Sequence, residues 1–312
     1  MRGTMNRMKR YTSGRRKGKS IIFAFLAPAI LIYSLFFVVP AFRAFRISLF
    51  RWKGFKQENA VYVGLDNFKE VVTDRWVRLA MGNNLLIIVL GGIFILSMAL
   101  FFATALTNRR VRGRSFFKTL IFLPHVINPI GVGLLWVFIL QPRFGLLNTV
   151  LRSAGLDPLA QAWLGSRQTG IPSITFIMVW YVIGFYMVLL MAGIESIPPE
   201  LFDAAKVDGA TEWQVFWRVK LPLIREVLSI AIVYWVIGAL KVFGIVWILT
   251  QGGPANSTHT IGTYMISQVL SSWGTVGLRL GYGTAIAVVL FFLVFLVSLL
   301  FFQISNDEAV EY

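Results

Sequence analysis

The sequence predicts an all-α membrane protein that crosses the bilayer six times. Composition is the first observation: 57% of the 312 residues are hydrophobic, 14% are charged, and the mean hydropathy is +0.71. Soluble domains carry about 25% charged residues, so an ordinary soluble class is excluded. The second is length. Apolar runs long enough to cross a hydrocarbon layer recur at about 20–41, 84–107, 116–140, 172–194, 225–249 and 282–303. The third is that basic, Gly/Pro-containing or helix-signalled polar segments separate them.

The elements follow in order. Residues 1–19 hold eight basic residues and no acid, which suits a cytoplasmic tail drawn to anionic headgroups. Within it, Gly14 to Ser20 falls one residue short of a phosphate-binding loop and has no strand before it, so it is no nucleotide site. The apolar run from Ile21 to Val39 is too long for a cleaved leader. Pro40 is expected to end the first span. A short amphipathic helix should then lie in the outer interface, with Phe42, Phe45 and Leu49 on one face and Arg43, Arg46 and Arg51 reaching headgroups. After the second span Arg109, Arg110, Arg112 and Arg114 form a tight basic loop. Pro124 and Pro129 predict a kink in the third span. His125 there suits an interhelical hydrogen bond or a proton relay. Residues 141–171 form an outer loop, and Leu249-Thr250-Gln251-Gly252-Gly253-Pro254 predicts an abrupt turn after the fifth span. Lys241, inside the fifth span, is an interhelical anchor or part of a gate. Residues 304–312 make a short acidic tail. Six spans put both termini on one side. The cytoplasmic assignment gives the inner segments 17 of the 30 Lys and Arg, against 12 for the longer outer segments.

The polar stretch 195–224, between the fourth and fifth spans, reads as two short helices. Pro198 and Pro199 suit a first helical turn. Leu201, Ala204, Ala205 and Asp208 share one face. Gly209 accepts the left-handed exit that stops the first helix. Thr211 and Gln214 form a capping-box pattern that starts the second, and Leu221-Pro222 ends it. An ordinary connector and an ordered functional loop both fit this pattern.

Asp203-Ala204-Ala205, Gly209 and Val219-x-Leu221-Pro222 resemble the docking loop of permease subunits in binding-protein-dependent ABC importers. Asp203 stands where the family has Glu, and Val219 where it has Ile. Gly64-Leu65, Asn67-Phe68 and Asn84 are similar to the family's approach to its next helix. Pro124, Pro129, Trp136, Gly145 and Asn148 resemble its third-span run, and residues 249–254 its outer-turn signature. The resemblance implies a type I ABC importer permease fold of the carbohydrate-uptake branch, similar to the maltose permease. It implies a permease domain over 20–303 between the two tails.

By this resemblance Asp203, Ala204, Ala205, Asp208, Gly209, Leu221 and Pro222 couple to an ATPase. Met178, Tyr181, Val182 and Phe185 in the fourth span, with Trp235, Gly238 and Ala239 in the fifth, face a sugar-like solute. Several of these are apolar where the maltose permease is polar. The implied partners are a second permease subunit, two ATPase subunits, an extracytoplasmic solute-binding protein and membrane lipid, with no nucleic acid. ATP would be bound by the partner subunits, so this chain needs no cofactor. No cysteine is present, the two histidines are far apart, and no carboxylate pair or nucleophile–base set has usable spacing. The chain is therefore expected to be non-catalytic, with no metal site. Other readings are an importer permease for another small solute such as glycerol phosphate, an ion-coupled secondary transporter, or a membrane anchor. Almost no acid lies within the spans for ion coupling.

Overall fold

A computed structural model describes residues 23, 25–53, 60–108, 111–270 and 278–306. The basic tail, the 14–20 run, Arg109, Arg110 and residues 307–312 lie outside the described residues. In chain order the elements are α1 (Phe25–Ser48), β1 (Phe50–Trp52), β2 (Ala60–Tyr62), α2 (Asp66–Thr73), α3 (Arg75–Thr107), α4 (Arg114–Val126), α5 (Pro129–Ile139) and α6 (Leu146–Ser153). They continue as α7 (Arg167–Glu195), α8 (Pro199–Val207), α9 (Glu212–Leu223), α10 (Arg225–Leu240), α11 (Gly244–Thr250), α12 (Ile261–Val269) and α13 (Leu280–Asn306). Apart from a two-stranded antiparallel ribbon, β1 with β2, the described fold is helical. Four helices, α1, α3, α7 and α13, are long and apolar enough to cross a membrane. The total is six if each of two bent pairs, α4 with α5 and α9 with α10, forms one span.

Four boundaries differ from the sequence reading. First, Pro40 does not end the first span. A wide π-type turn over Ser34–Val38 lets the Val39 N–H reach the Ser34 carbonyl, and Pro40 sits at the start of the next regular turn. No separate interface helix follows. At 24 residues α1 is about 36 Å long, so Arg43 falls near the edge of a hydrocarbon layer of about 30 Å and Arg46 just beyond it, both on the span itself. Second, the next span starts at Arg75 rather than 84. The Asp74 carboxylate caps it, accepting from the Trp76 amide at 2.7 Å.

Third, the two prolines break the third span instead of kinking it: α4 and α5 meet at 95°. Asn128 caps the new helix by accepting from the Ile130 amide at 2.8 Å. Fourth, the fifth span is interrupted between Leu240 and Gly244. Backbone freed inside a membrane must find partners. Asn84 Nδ2 donates to the carbonyls of Ala239 (2.7 Å) and Leu240 (3.3 Å), and Thr260 Oγ1 donates to that of Val242 at 3.0 Å. Asn84 Oδ1 also accepts from the Ile261 amide at 2.8 Å, tying α3, α10 and α12 together.

α7 is the central helix, packed against α3, α4 and α10. Its buried residues, among them Ile174, Ile177, Met187 and Leu190, form the largest apolar cluster. At Gly184 the backbones of α7 and α4 nearly touch. A Cβ there would lie 2.5 Å from both the Ile121 carbonyl oxygen and the Phe122 Cα. α1 packs along α13 at the periphery.

A second cluster, including Val77, Ala80, Tyr264 and Ile286, joins α2, α3, α12 and α13 at the opposite end from the 195–224 stretch. The Asp74 carboxylate accepts from the hydroxyls of Tyr264 and Tyr282, both at 2.6 Å. Burial opposes its charge, but those phenols and the amides of Trp76 and Val77 outweigh it and hold the carboxyl below its usual range. The 249–254 turn is as abrupt as expected: Gln251 and Gly252 have φ of 50° and 84°. Gly252 lies against the buried His259 ring, leaving no room for a side chain. Burial pushes the His259 pKa down to about 4.

Candidate functional site

Two surfaces draw on the predicted residues. The first is the hairpin of α8 and α9. Pro198 and Pro199 open α8 as expected. Its end is a Schellman turn: the Ala210 amide donates to the Ala205 carbonyl at 2.9 Å, and the Gly209 amide to that of Lys206 at 3.0 Å. Gly209 has φ +74°, the left-handed conformation that glycine adopts without strain. Thr211 then starts α9 with a reciprocal capping box with Gln214. α9 runs through Leu221 and Pro222 to Leu223, one residue further than the sequence suggested, and turns by 70° into α10 at the buried Ile224.

Asp203, Ala204 and Asp208 are exposed on α8, Ala205 is half-buried, and Asp203 pairs with Lys206 at 3.3 Å. Leu221 is half-buried and Pro222 exposed. Beside them lie apolar side chains that the motif comparison passed over: Val207 is 88% exposed, Trp213 69% and Trp217 49%. The rings of Trp213, Phe216 and Trp217 lie 5.1–6.2 Å apart. An apolar surface of this kind on a polar connector marks a contact face. Its signal in the sequence was a pair of tryptophans, Trp213 and Trp217, in a charged connector between spans.

The second surface is an aromatic face on α7 and α10. Tyr181, Val182 and Phe185 are half-buried along one side of α7, and Gly238 is exposed on α10, where an added Cβ would meet nothing within 4 Å. Tyr234, 57% exposed and one turn before Gly238, completes the face: its ring lies 5.1 Å from that of Phe185. His125 from α4 sits 5.5 Å from both Tyr181 and Phe185. The expected hydrogen bond is not made at its Nδ1, which is buried without a partner among the described residues. The Tyr181 hydroxyl donates to the Ile127 carbonyl at 3.2 Å, satisfying backbone freed by the α4–α5 break.

Three predicted residues do not join this face. Trp235 is 3% exposed; its ring packs on Gly91 and Gly92 of α3, and its Nε1 donates to the Ile88 carbonyl at 2.9 Å. Ala239 is fully buried beneath Asn84, and Met178 lies in the core on the inner side of α7. Helical periodicity places residues on a face, but only the neighbouring helices decide whether that face is open. Among the described residues no group of three His, Cys, Asp or Glu could hold a metal ion.

Known proteins resemble this chain along most of its length. Residues 95–310 match the family described as binding-protein-dependent transport system inner membrane component. The chain is 35% identical over 296 residues to the probable ABC transporter permease protein YurN of Bacillus subtilis, covering 94% of this chain and 99% of that protein. It is 36% identical over 299 residues to the diacetylchitobiose uptake system permease protein NgcF of Streptomyces coelicolor, covering 93% of this chain and 82% of that one. Its fold matches a chain of the bacterial alginate ABC transporter in complex with alginate pentasaccharide-bound periplasmic protein, with TM-score 0.80, 26% identity, and coverage of 93% and 96%. A multi-pass helical chain with a broken third span and this breadth of sequence match belongs to the inner membrane components of binding-protein-dependent transport systems.

Proposed function

We propose that this chain is one permease half of an ATP-driven importer of sugars or oligosaccharides. The α8–α9 hairpin carries the reading. It is ordered by a Schellman glycine and a capping box, presents exposed apolar side chains, and joins through a 70° bend the helix that bears Tyr234 and Gly238. A push on the hairpin would therefore move one wall of the aromatic face. In this reading Asp203, Ala204, Ala205, Asp208, Gly209, Leu221 and Pro222 seat the hairpin on a cytoplasmic ATPase subunit, and Trp213 and Trp217 extend the contact. Tyr181, Val182, Phe185, Tyr234 and Gly238 line half of the solute path, because aromatic rings stack on the C–H faces of sugars. A second permease supplies the other half. Two ATPase subunits bind and hydrolyse ATP, and a solute-binding protein delivers from outside. This chain is non-catalytic, and both of its termini are cytoplasmic.

The matched proteins support a carbohydrate solute: one takes up diacetylchitobiose and the other binds alginate on its periplasmic protein. The former is neutral and the latter acidic, so they do not choose a charge. The test is uptake by proteoliposomes holding the complete importer. Sugar accumulation should require both ATP and the binding protein. Accumulation driven by an ion gradient alone would refute the proposal.

A further inference from the structure

Lys241 stands in an unusual place. It closes α10 where the fifth span is interrupted, and it is exposed. Its ammonium makes no hydrogen bond or ion pair with any described residue. A charge at this depth is costly unless it is paired or faces a water-filled path. The lysine is not needed to hold the break together. The carbonyls of Ala239 and Leu240 are taken by Asn84, and that of Val242 by Thr260. Nor do the described residues offer an ion-pair partner for it. Within the spanning helices and bent pairs the carboxylates are Glu195, Glu212 and Glu226, all on the hairpin side of α7, α9 and α10.

The position of Lys241 relative to the aromatic face is specific. Tyr234, Gly238 and Lys241 are spaced i, i+4 and i+7, so they share one side of α10. The Lys241 amide still donates to the Ile237 carbonyl at 3.1 Å, so the helical register holds to that residue. All three are exposed. Lys241 therefore stands about 10 Å along the helix from Tyr234, with the uncovered Gly238 backbone between them.

We infer that the solute carries a negative charge, a carboxylate or a phosphate, and that Lys241 reads it while Tyr234, Phe185 and Tyr181 stack on the carbohydrate. This rests on the sugar-importer reading above and names the class of solute. An ammonium on a flexible stem follows a moving anion without the fixed geometry of a guanidinium. That suits a group which must bind and release in each cycle.

The experiment uses the complete importer in proteoliposomes and three labelled probes: a diuronate, sn-glycerol 3-phosphate and a neutral disaccharide. The first two separate carboxylate from phosphate. Wild type should accumulate one of the anionic probes in preference to the neutral one. Lys241→Gln should lower subsaturating uptake of that probe by about tenfold or more, Lys241→Glu should lower it further, and Lys241→Arg should restore much of it. Co-purification of the subunits serves as the folding control. Equal uptake of neutral and anionic probes, unchanged by Lys241→Gln, would overturn the proposal and leave the sugar-importer reading standing. Loss of the second permease from the purified Lys241→Gln complex would also overturn it, assigning the lysine to an ion pair between subunits. ATP-independent uptake of every probe would overturn both readings.

Discussion

Gly209 is the point at which the proposed coupling is most open to test. Its φ of +74° and its place in the Schellman turn set the angle between α8 and α9. Gly209→Ala adds a Cβ that meets nothing within 4 Å, so its effect is backbone strain alone, about 1 kcal/mol. That changes the balance between the native turn and its alternatives by about fivefold. Gly209→Asn should cost less, since asparagine tolerates the left-handed region better. Gly209→Pro is of another order. Proline holds φ near −65°, so the turn cannot form, and the amide that donates to Lys206 is lost, worth about another 1 kcal/mol. The hairpin must then open, separating Ala204 and Ala205 on α8 from Trp213 and Trp217 on α9. The assay is solute transported per ATP hydrolysed in proteoliposomes, with ATPase co-purification measured on the same preparation. The expected order of defect is Asn, then Ala, then Pro, with membrane insertion intact because no span is touched. Wild-type coupling in the proline variant would show that force does not pass through this turn.

Three further outcomes follow from the packing. Gly184→Ala should lower the melting temperature of the detergent-purified protein by an amount matching about 1–3 kcal/mol, because the added Cβ meets the α4 backbone at 2.5 Å and the helices must part; an unchanged melting temperature would rule out that close approach. Tyr181→Ala should reduce uptake at subsaturating solute about tenfold, equivalent to roughly 1–2 kcal/mol of lost contact, while Tyr181→Phe should retain most of it; full uptake by the alanine variant would remove Tyr181 from the path. His259 is buried and its pKa is depressed to about 4, so the unfolded chain takes up its proton first as pH falls. Its contribution is complete above the ordinary histidine range and is lost between about pH 6.5 and 4, up to about 3 kcal/mol. His259→Gln should flatten that part of the stability profile, and a wild-type profile already flat from pH 7 to 4 would contradict the burial.

The class of the protein was legible in the sequence because membranes impose local rules. A run of about twenty apolar residues must become a helix when no water is present to satisfy its backbone. The hairpin was legible for the same kind of reason. Gly209, Thr211 and Gln214 act through bonds to residues within four or five positions, and the structure shows those turns as the motifs implied. Interruptions were less legible. Pro40 lies inside a continuous helix because a wide turn ahead of it absorbs the lost bond, whereas Pro124 and Pro129 accompany a 95° break. Lys241 next to Leu240 marks the place, but no proline or local cap announces that the fifth span stops there. That break is held by Asn84 and Thr260, residues from elements distant in the chain. The solute face depended on tertiary structure in the same way. Periodicity grouped Trp235 and Ala239 with Gly238, but paired glycines on α3 admit the Trp235 ring and Asn84 covers Ala239, so both are buried. Tyr234 and Lys241 remain open beside Gly238 because no described helix packs over them. Backbone hydrogen bonding is settled within a few residues of sequence, whereas exposure is settled by whichever other helix occupies the space.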